Sequence, residues 1–135
     1  MTTKDIGKTI KAKVSFTGSG RYLNTSTFSK ATAKVAKAAS TPAPVPDLSP
    51  TSPTVGLAIT ATIGTWGPDP VALAYQWYKV SSSGKSSAIK AARAVVFTPT
   101  AAEVGYKLKL KVTGTKAGYN TRTVYSALTA KVITD

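Results

Sequence analysis

Hydrophobic and polar residues alternate with a period of two through much of the second half of the chain. The segment VGLAITATIGTW, residues 55–66, places Leu57, Ile59, Ala61 and Ile63 on one face and alanine or threonine on the other. Such alternation is typical of an antiparallel strand with one face in the core and one in water. The segment is therefore predicted to form a half-buried strand.

The same alternation recurs in VALAYQWYKV, residues 71–80, and in YKLKLKV, residues 106–112. Residues 94–98 and 121–132 also favour strands, and turns with glycine or proline separate the segments. The side chains predicted to form the core are Trp66, Tyr75, Trp77, Leu108, Leu110 and Val112. About seven short strands without helical periodicity predict an all-β fold, an antiparallel β-sandwich.

The beginning of the chain repeats its end. Residues 5–35 align with residues 103–132, and the pair Gly7 and Gly105 gives an offset of 98 residues, which an additional residue at Arg21 reduces to 97. Twelve of the thirty aligned positions are identical, namely Gly7, Lys11, Lys13, Val14, Thr17, Gly20, Tyr22, Ser29, Thr32, Ala33, Lys34 and Val35 of the first copy. A repeat of this length suits a sandwich domain of about 100 residues.

A proline-rich segment separates the two copies, and residues 38–54 hold five of the eight prolines. This composition favours extended polyproline II structure. The predicted organisation is a partial repeat, the C-terminal hairpin of a sandwich unit (1–37), then a linker (38–54), then a complete repeat (55–135). The later half of the linker could lie along the sandwich as an irregular edge strand. The chain is interpreted as part of a longer tandem protein.

Three segments in this order, VGLAITATIGTW, AYQWYKV and FTPTAAEVGYKLKLKVTGTKAGYNTRT, resemble the Ig-like repeats of actinobacterial surface and secreted proteins. The resemblance covers residues 55–132, and residues 5–35 match its last third. It implies an Ig-like β-sandwich within an array, often beside a cell-wall hydrolase, protease or glycosidase domain. It implies no catalytic residues.

The chain is strongly basic, with 18 Lys and Arg against 5 Asp and Glu and a formal net charge of +13. Residues 1–40 contribute eight bases and one acid, and residues 41–135 contribute ten bases and four acids, so the charge belongs to both copies. Such a charge predicts attraction to polyanions. Nothing indicates specific nucleic-acid binding, because no helix is predicted for a major groove and no aromatic RNA-binding motif is present.

Two residue types that catalysis and metal binding commonly use are missing from the chain. The chain contains neither histidine nor cysteine, which removes the common general base, the thiol nucleophile and the usual zinc ligands. The five acids are scattered, and no one pair of serine and lysine stands out as a nucleophile and base. We expect a non-enzymatic module without cofactor or metal. No apolar stretch reaches the roughly 18 residues of a membrane-spanning helix.

Lysines at alternate positions form the strongest candidate for a binding surface. Lys107, Lys109 and Lys111 face away from the predicted core, and Lys11 and Lys13 do so in the partial copy. Same-face residues of a strand lie about 6.6 Å apart, close to the spacing of charges along a polyphosphate backbone. The row is either a polyanion-binding face or a solvated face that prevents edge pairing.

Tyrosines supply a second hypothesis, in which Tyr78, Tyr106 and Tyr119 stack on sugars, although scattered tyrosines are common on sheets. Glu103 and Gly105, like Asp5 and Gly7, predict a structural corner whose glycine takes a left-handed or crowded conformation.

Together these patterns predict a spacer and adhesion module, extracellular or on the cell surface, with its signal peptide upstream. We expect it to bind anionic cell-wall polymer or polysaccharide. The alternative is a carbohydrate-binding module that targets an attached hydrolase. A pure spacer is the third reading. The hairpin of residues 8–35 is too small to be stable alone, so we expect it to dock on a neighbouring repeat or to self-associate with another copy.

Overall fold

Strands form almost all of the regular structure, as the content of threonine, valine and tyrosine favours. The computed structural model describes residues 1–135 and separates them into a smaller unit, Met1–Ala38, and a larger unit, Ala39–Asp135. The strands are β1 (Lys13–Phe16) and β2 (Thr25–Phe28) in the smaller unit, and β3 (Asp47–Ser49), β4 (Ile59–Thr62), β5 (Ala72–Val80), β6 (Ser86–Ala88), β7 (Val96–Phe97), β8 (Lys107–Thr115) and β9 (Arg122–Tyr125) in the larger unit. Two 3-10 turns, Thr3–Asp5 and Ala101–Glu103, are the only helical elements. The structure contains no helix with the length and hydrophobicity of a transmembrane segment.

The larger unit is an antiparallel β-sandwich. One sheet has the strand order β3-β4-β7 and the other the order β6-β5-β8-β9. The chain passes between the sheets after β4, β6 and β7, and its third strand, β5, carries a buried tryptophan, as in Ig-like domains. The prediction of an all-β sandwich is confirmed.

The core lies between the two sheets and is centred on Trp77. The centroid of its ring lies 5.5 Å from that of Phe97 in the opposite sheet, and its Nε1–H donates a hydrogen bond of 2.9 Å to the carbonyl of Ala94. Large aromatic side chains dominate the energetics of such cores. The buried apolar residues are Ile59, Ala61, Trp66, Trp77, Val80, Leu108, Leu110, Val112 and Val132. Tyr75, also predicted for the core, is half-buried against this cluster.

The pairing of β5 with β8 separates the core from the solvent face. Trp77 lies opposite Leu110, and their neighbours Tyr78 and Lys109 lie opposite each other on the outward side. Leu57, predicted to share the buried face of β4, precedes that strand and is 60% exposed. The alternation therefore holds within the strands and ends where a strand ends.

The proline-rich segment is part of the sandwich. Residues 39–54 belong to the larger unit, β3 pairs with β4, and Pro46 and Pro53 are fully buried. Proline is tolerated here because β3 is an edge strand. One side of an edge strand pairs with no other strand, so the backbone N–H that proline lacks is not needed there for a ladder hydrogen bond. The edge strand allowed for the later half of the predicted linker is present as β3, and the larger unit extends further towards the N-terminus, to Ala39.

The last strand is shorter than the predicted one, residues 121–132. Beyond β9, side-chain hydroxyls replace backbone carbonyls as acceptors. Ser126 Oγ accepts from the N–H of Leu110 and Thr129 Oγ1 from that of Leu108, both at 2.9 Å. The acceptors Ser126 and Thr129 are three residues apart, whereas the donors Leu108 and Leu110 are only two apart. The chain therefore departs here from the regular ladder of backbone hydrogen bonds. The hydroxyls keep both buried donors paired.

The smaller unit is a hairpin with the same hydrogen-bond pattern as the end of the sandwich. Lys13 lies opposite Phe28, as Lys111 lies opposite Tyr125. The hydroxyl acceptors recur at Ser29 and Thr32, each at 3.0 Å from its backbone donor. The two matching sequence segments therefore fold alike.

The corner before each pair of strands also recurs. Gly7 and Gly105 have φ angles of 79° and 81°. Their N–H groups donate to the carbonyls of Val35 at 2.8 Å and Val132 at 2.9 Å. A left-handed conformation of this kind strains any residue with a Cβ atom, so the predicted need for glycine is confirmed.

Replacing Thr129 by valine should destabilise the larger unit by about 1–3 kcal/mol. The substitution preserves the shape of the side chain but leaves the buried N–H of Leu108 without an acceptor. Urea unfolding followed by circular dichroism measures the change. The T129S variant keeps the oxygen and should retain most of the stability. A T129V variant as stable as the unmodified protein, with a loss only in T129S, would show that packing of the methyl group matters and the hydrogen bond does not.

Candidate polyanion-binding face

The outward face of the four-stranded sheet carries a row of lysines. Lys107, Lys109 and Lys111 occupy alternate positions of β8, which lies between β5 and β9. Lys107 is exposed, and the other two are half-buried. We call these three lysines, with Tyr78 and Tyr125 beside them, the basic face.

Two tyrosines hold the middle lysine. Lys109 Nζ lies 5.0 Å from the ring centroid of Tyr125 and 6.0 Å from that of Tyr78. The two rings are 6.4 Å apart at 63° to each other. Each cation–π contact at a surface of this kind contributes about 0.5–1 kcal/mol. The tyrosines keep the ammonium group against the sheet, and their tilt prevents them from forming one flat platform.

A shallow groove of about 380 Å³ adjoins Lys111. Arg93, from the segment between β6 and β7, lines the same groove. The Nε2 of Gln76 donates to the carbonyls of Trp77 at 2.9 Å and Ile89 at 2.8 Å, which ties that segment to β5. A planar guanidinium beside an ammonium group suits phosphate or carboxylate, because the guanidinium can donate two parallel hydrogen bonds.

The charge of this sheet is entirely positive. Its four strands contain no acidic residue, and their basic residues are Lys79, Lys107, Lys109, Lys111 and Arg122. Two unit charges about 6.6 Å apart repel each other in water by about 0.6 kcal/mol. An anion lying along the row would relieve this repulsion at each lysine that it passes.

The hairpin carries a smaller version of the same surface. Lys11 and Lys13 are exposed, and Lys13 Nζ lies 5.8 Å from the ring centroid of Phe28. Phe28 occupies the position of Tyr125 in the alignment of the two copies. Both copies therefore combine alternating lysines with an aromatic ring on the neighbouring strand.

The three tyrosines predicted for glycan stacking do not share one surface. Tyr78 belongs to the basic face. Tyr106 precedes β8, with its ring centroid 5.0 Å from Lys79 Nζ, and Tyr119 follows β8, with its ring centroid 5.7 Å from Lys116 Nζ. Each of these rings lies against a lysine of its own and is half-buried.

Tyr125 and Arg93 belong to this surface although the sequence pattern does not single them out. The repeat contains a signal for Tyr125, because Phe28 places an aromatic residue at the equivalent position. Arg93 has no such signal. It lies outside the strands, and only the fold brings it to the groove beside Lys111.

Glu103 has a structural role at the corner before β8. One carboxylate oxygen accepts from the N–H of Thr100 at 3.0 Å and from its hydroxyl at 2.7 Å, and the other lies 3.5 Å from Lys79 Nζ. Burial raises the pKa of this carboxyl, but the hydrogen bonds from Thr100 and the charge of Lys79 outweigh it, so the pKa is lowered from 4.5. Asp5 makes the same bonds to Thr2 in the hairpin, and its pKa is also lowered, chiefly by the backbone hydrogen bond.

No group of three or more His, Cys, Asp or Glu side chains is arranged to hold a metal ion. No protein-family model matches the chain, and no curated protein matches its sequence significantly. The resemblance to Ig-like surface repeats therefore stays a prediction.

Glu103 should make the larger unit sensitive to acid. A lowered pKa in the folded state means that the carboxylate contributes its full stability above 4.5, and that this contribution is lost as the pH falls through the lower folded value. The E103Q variant should be less stable at neutral pH by about 1–3 kcal/mol and should lose less stability on acidification. Urea unfolding at about pH 7 and about pH 3 tests this.

The D47N variant is the matched control, because it removes the same charge from an exposed position. It should follow the unmodified protein at both pH values. An E103Q variant that loses as much stability between the two pH values as the unmodified protein would contradict the assignment.

Proposed function

We propose that the chain is a non-catalytic, extracellular β-sandwich repeat module that serves as a spacer and adhesion unit and binds anionic cell-wall polymer. The observation that carries this proposal is the acid-free sheet with its row of lysines and its groove beside Arg93. The same combination of lysines and an aromatic ring in the hairpin supports it.

A polymer suits this surface better than a small molecule does. The lysines form a line and not a cluster, and the groove is open to solvent. A linear polyanion can contact successive lysines, whereas a single small anion reaches one or two. Each contact at a hydrated surface is weak, on the order of 0.2–1 kcal/mol, so useful affinity requires several at once. Tandem copies would multiply the contacts without new chemistry.

The residues present support the non-catalytic part of the proposal. The acids that catalysis most often uses are few, and the buried one, Glu103, is engaged by Thr100 and Lys79. Serines and lysines are abundant, but Lys79 is occupied with the carbonyl of Ala102 at 2.9 Å and with Glu103. The groove is lined by two cations and two tyrosines but by no histidine or carboxylate.

The second candidate is a carbohydrate-binding module. The observation in its favour is the pair of Tyr78 and Tyr125 beside the groove. The rings are inclined at 63°, so a sugar could stack on one of them but not lie across both. Neutral glycan binding of this type depends little on salt, and polyanion binding depends on it strongly.

Binding to purified teichoic acid and to an acidic polysaccharide should weaken steeply as salt rises from about 0.1 M to about 1 M, because the screening length falls from about 10 Å to about 3 Å. The R93Q/K111Q variant should bind these polymers about three- to tenfold more weakly at low salt. Isothermal titration of the full chain measures both effects.

The K37Q/K85Q variant is the control, because it removes two positive charges from exposed positions outside the strands. It should lose clearly less affinity than R93Q/K111Q. Equal losses of affinity would show that binding depends on net charge alone and would contradict the proposed site. Salt-independent binding to a neutral glycan, abolished by Y78A, would favour the carbohydrate-binding module, and no binding to any polymer would leave a spacer.

A further inference from the structure

The hairpin of residues 1–38 has an apolar face and a strand edge that resemble a sandwich without its other half. In the larger unit, β8 pairs with β9 on one side and with nine residues of β5 on the other. β1, the equivalent of β8, belongs to a sheet of two strands and pairs with β2 alone. Val14 is 65% exposed, whereas its equivalent Val112 is completely buried.

The larger unit shows which kind of segment covers such a face. The inward residues of β8 are buried by Ile59, Trp66, Trp77 and Phe97, all within residues 39–99. Because the hairpin reproduces the register and the hydroxyl bonds of its counterpart, the geometry of the covering segment is given by the chain itself. Addition of a strand to an exposed edge supplies main-chain hydrogen bonds, and the side-chain fit supplies specificity.

One position makes the fit selective. Gly114 is buried beneath Trp66, and a Cβ atom on it would lie 2.5 Å from Cε3 and Cζ3 of that indole. Gly114 has no positive φ, so crowding by Trp66 and not backbone conformation excludes a side chain here. The hairpin has Phe16 at this position, at the offset of 98 residues that also relates Lys13 to Lys111.

A second inward position, beyond the unchanged pair Val112 and Val14, changes in the opposite direction. Leu110, which lies opposite Trp77, is fully buried, and the hairpin has Ala12 in its place. The apolar face of the hairpin is thus built from sizes different from those of β8. A segment identical to residues 39–99 would clash at Phe16 and leave a cavity at Ala12.

We propose that the hairpin is the docking site for the first part of another repeat, built like residues 39–99 but with a small residue at the position of Trp66. Phe16 fills the space that the indole occupies in the larger unit. Because Phe16 would collide with Trp66, the hairpin rejects residues 39–99 of a second copy of this chain. The two sandwiches of a tandem array are thereby protected from exchanging their parts.

The exchange of sizes can be tested within the larger unit. G114F should lower the folding equilibrium constant of the full chain by about tenfold to a hundredfold, because the new ring meets Trp66. W66G alone should also destabilise, because it leaves a cavity. The folding equilibrium constant of the double variant W66G/G114F should be at least about tenfold higher than the value expected if the effects of the two single substitutions simply multiplied. If the losses in free energy of unfolding, measured in urea, are additive, the proposed exchange of sizes is wrong.

The docking itself is tested with polypeptides of residues 39–99 added to the isotope-labelled full chain. The polypeptide with Trp66→Gly should bind and shift the amide resonances of residues 8–35, and the unmodified polypeptide should bind at least about tenfold more weakly. In an F16G chain this preference should reverse. Equal binding of the two polypeptides, a preference for the unmodified one, or no effect of either on residues 8–35 would each overturn the proposal.

Discussion

The pairing of β5 with β8 is the interaction on which the rest of this structure depends. It runs over nine residues of each strand and places Trp77 against Leu110 inside, with Tyr78 against Lys109 outside. The core and the basic face are the two sides of this one ladder. A shift of the pairing by a single residue would turn lysines inward and leucines outward, so burial of the core fixes the position of the charges.

The duplicated hairpin separates local from long-range contributions. The hydroxyl acceptors, the turn closed by an acid and the left-handed glycine occur in both copies, because each is formed by residues close in the chain or on the two paired strands. The contact of Lys79 with Glu103 and the indole above Gly114 exist only where β5 and the segment before it are present. Local hydrogen bonds therefore define the shape of the hairpin, and long-range packing decides which segment can complete it.

In the basic face, the same residues contribute to packing and to the proposed function. Its tyrosines hold Lys109 close to the sheet, so the charge is presented in a defined place, and less side-chain entropy would be lost in the proposed binding of an anion. The acid of the corner is kept away from this face by its bonds to Thr100 and Lys79. This carboxylate therefore offsets the charge of Lys79 and not that of Lys107, Lys109 or Lys111.

The sequence by itself determined β4, β5, β7 and β8, the inward and outward sides of β5 and β8, and the duplicated hairpin, because period-two alternation is a local property of the chain. It allowed an edge strand only for the later half of the proline-rich segment, since proline content does not reveal where the sandwich begins. It extended the last strand beyond β9, since the switch to hydroxyl acceptors leaves no mark on hydrophobicity. Only the tertiary structure brought Arg93 to Lys111 and Tyr125 to Lys109, and only it placed Trp66 over Gly114. These are contacts between residues apart in the chain, and their distances follow from strand pairing and from the packing of the two sheets, not from the residues that lie next to one another.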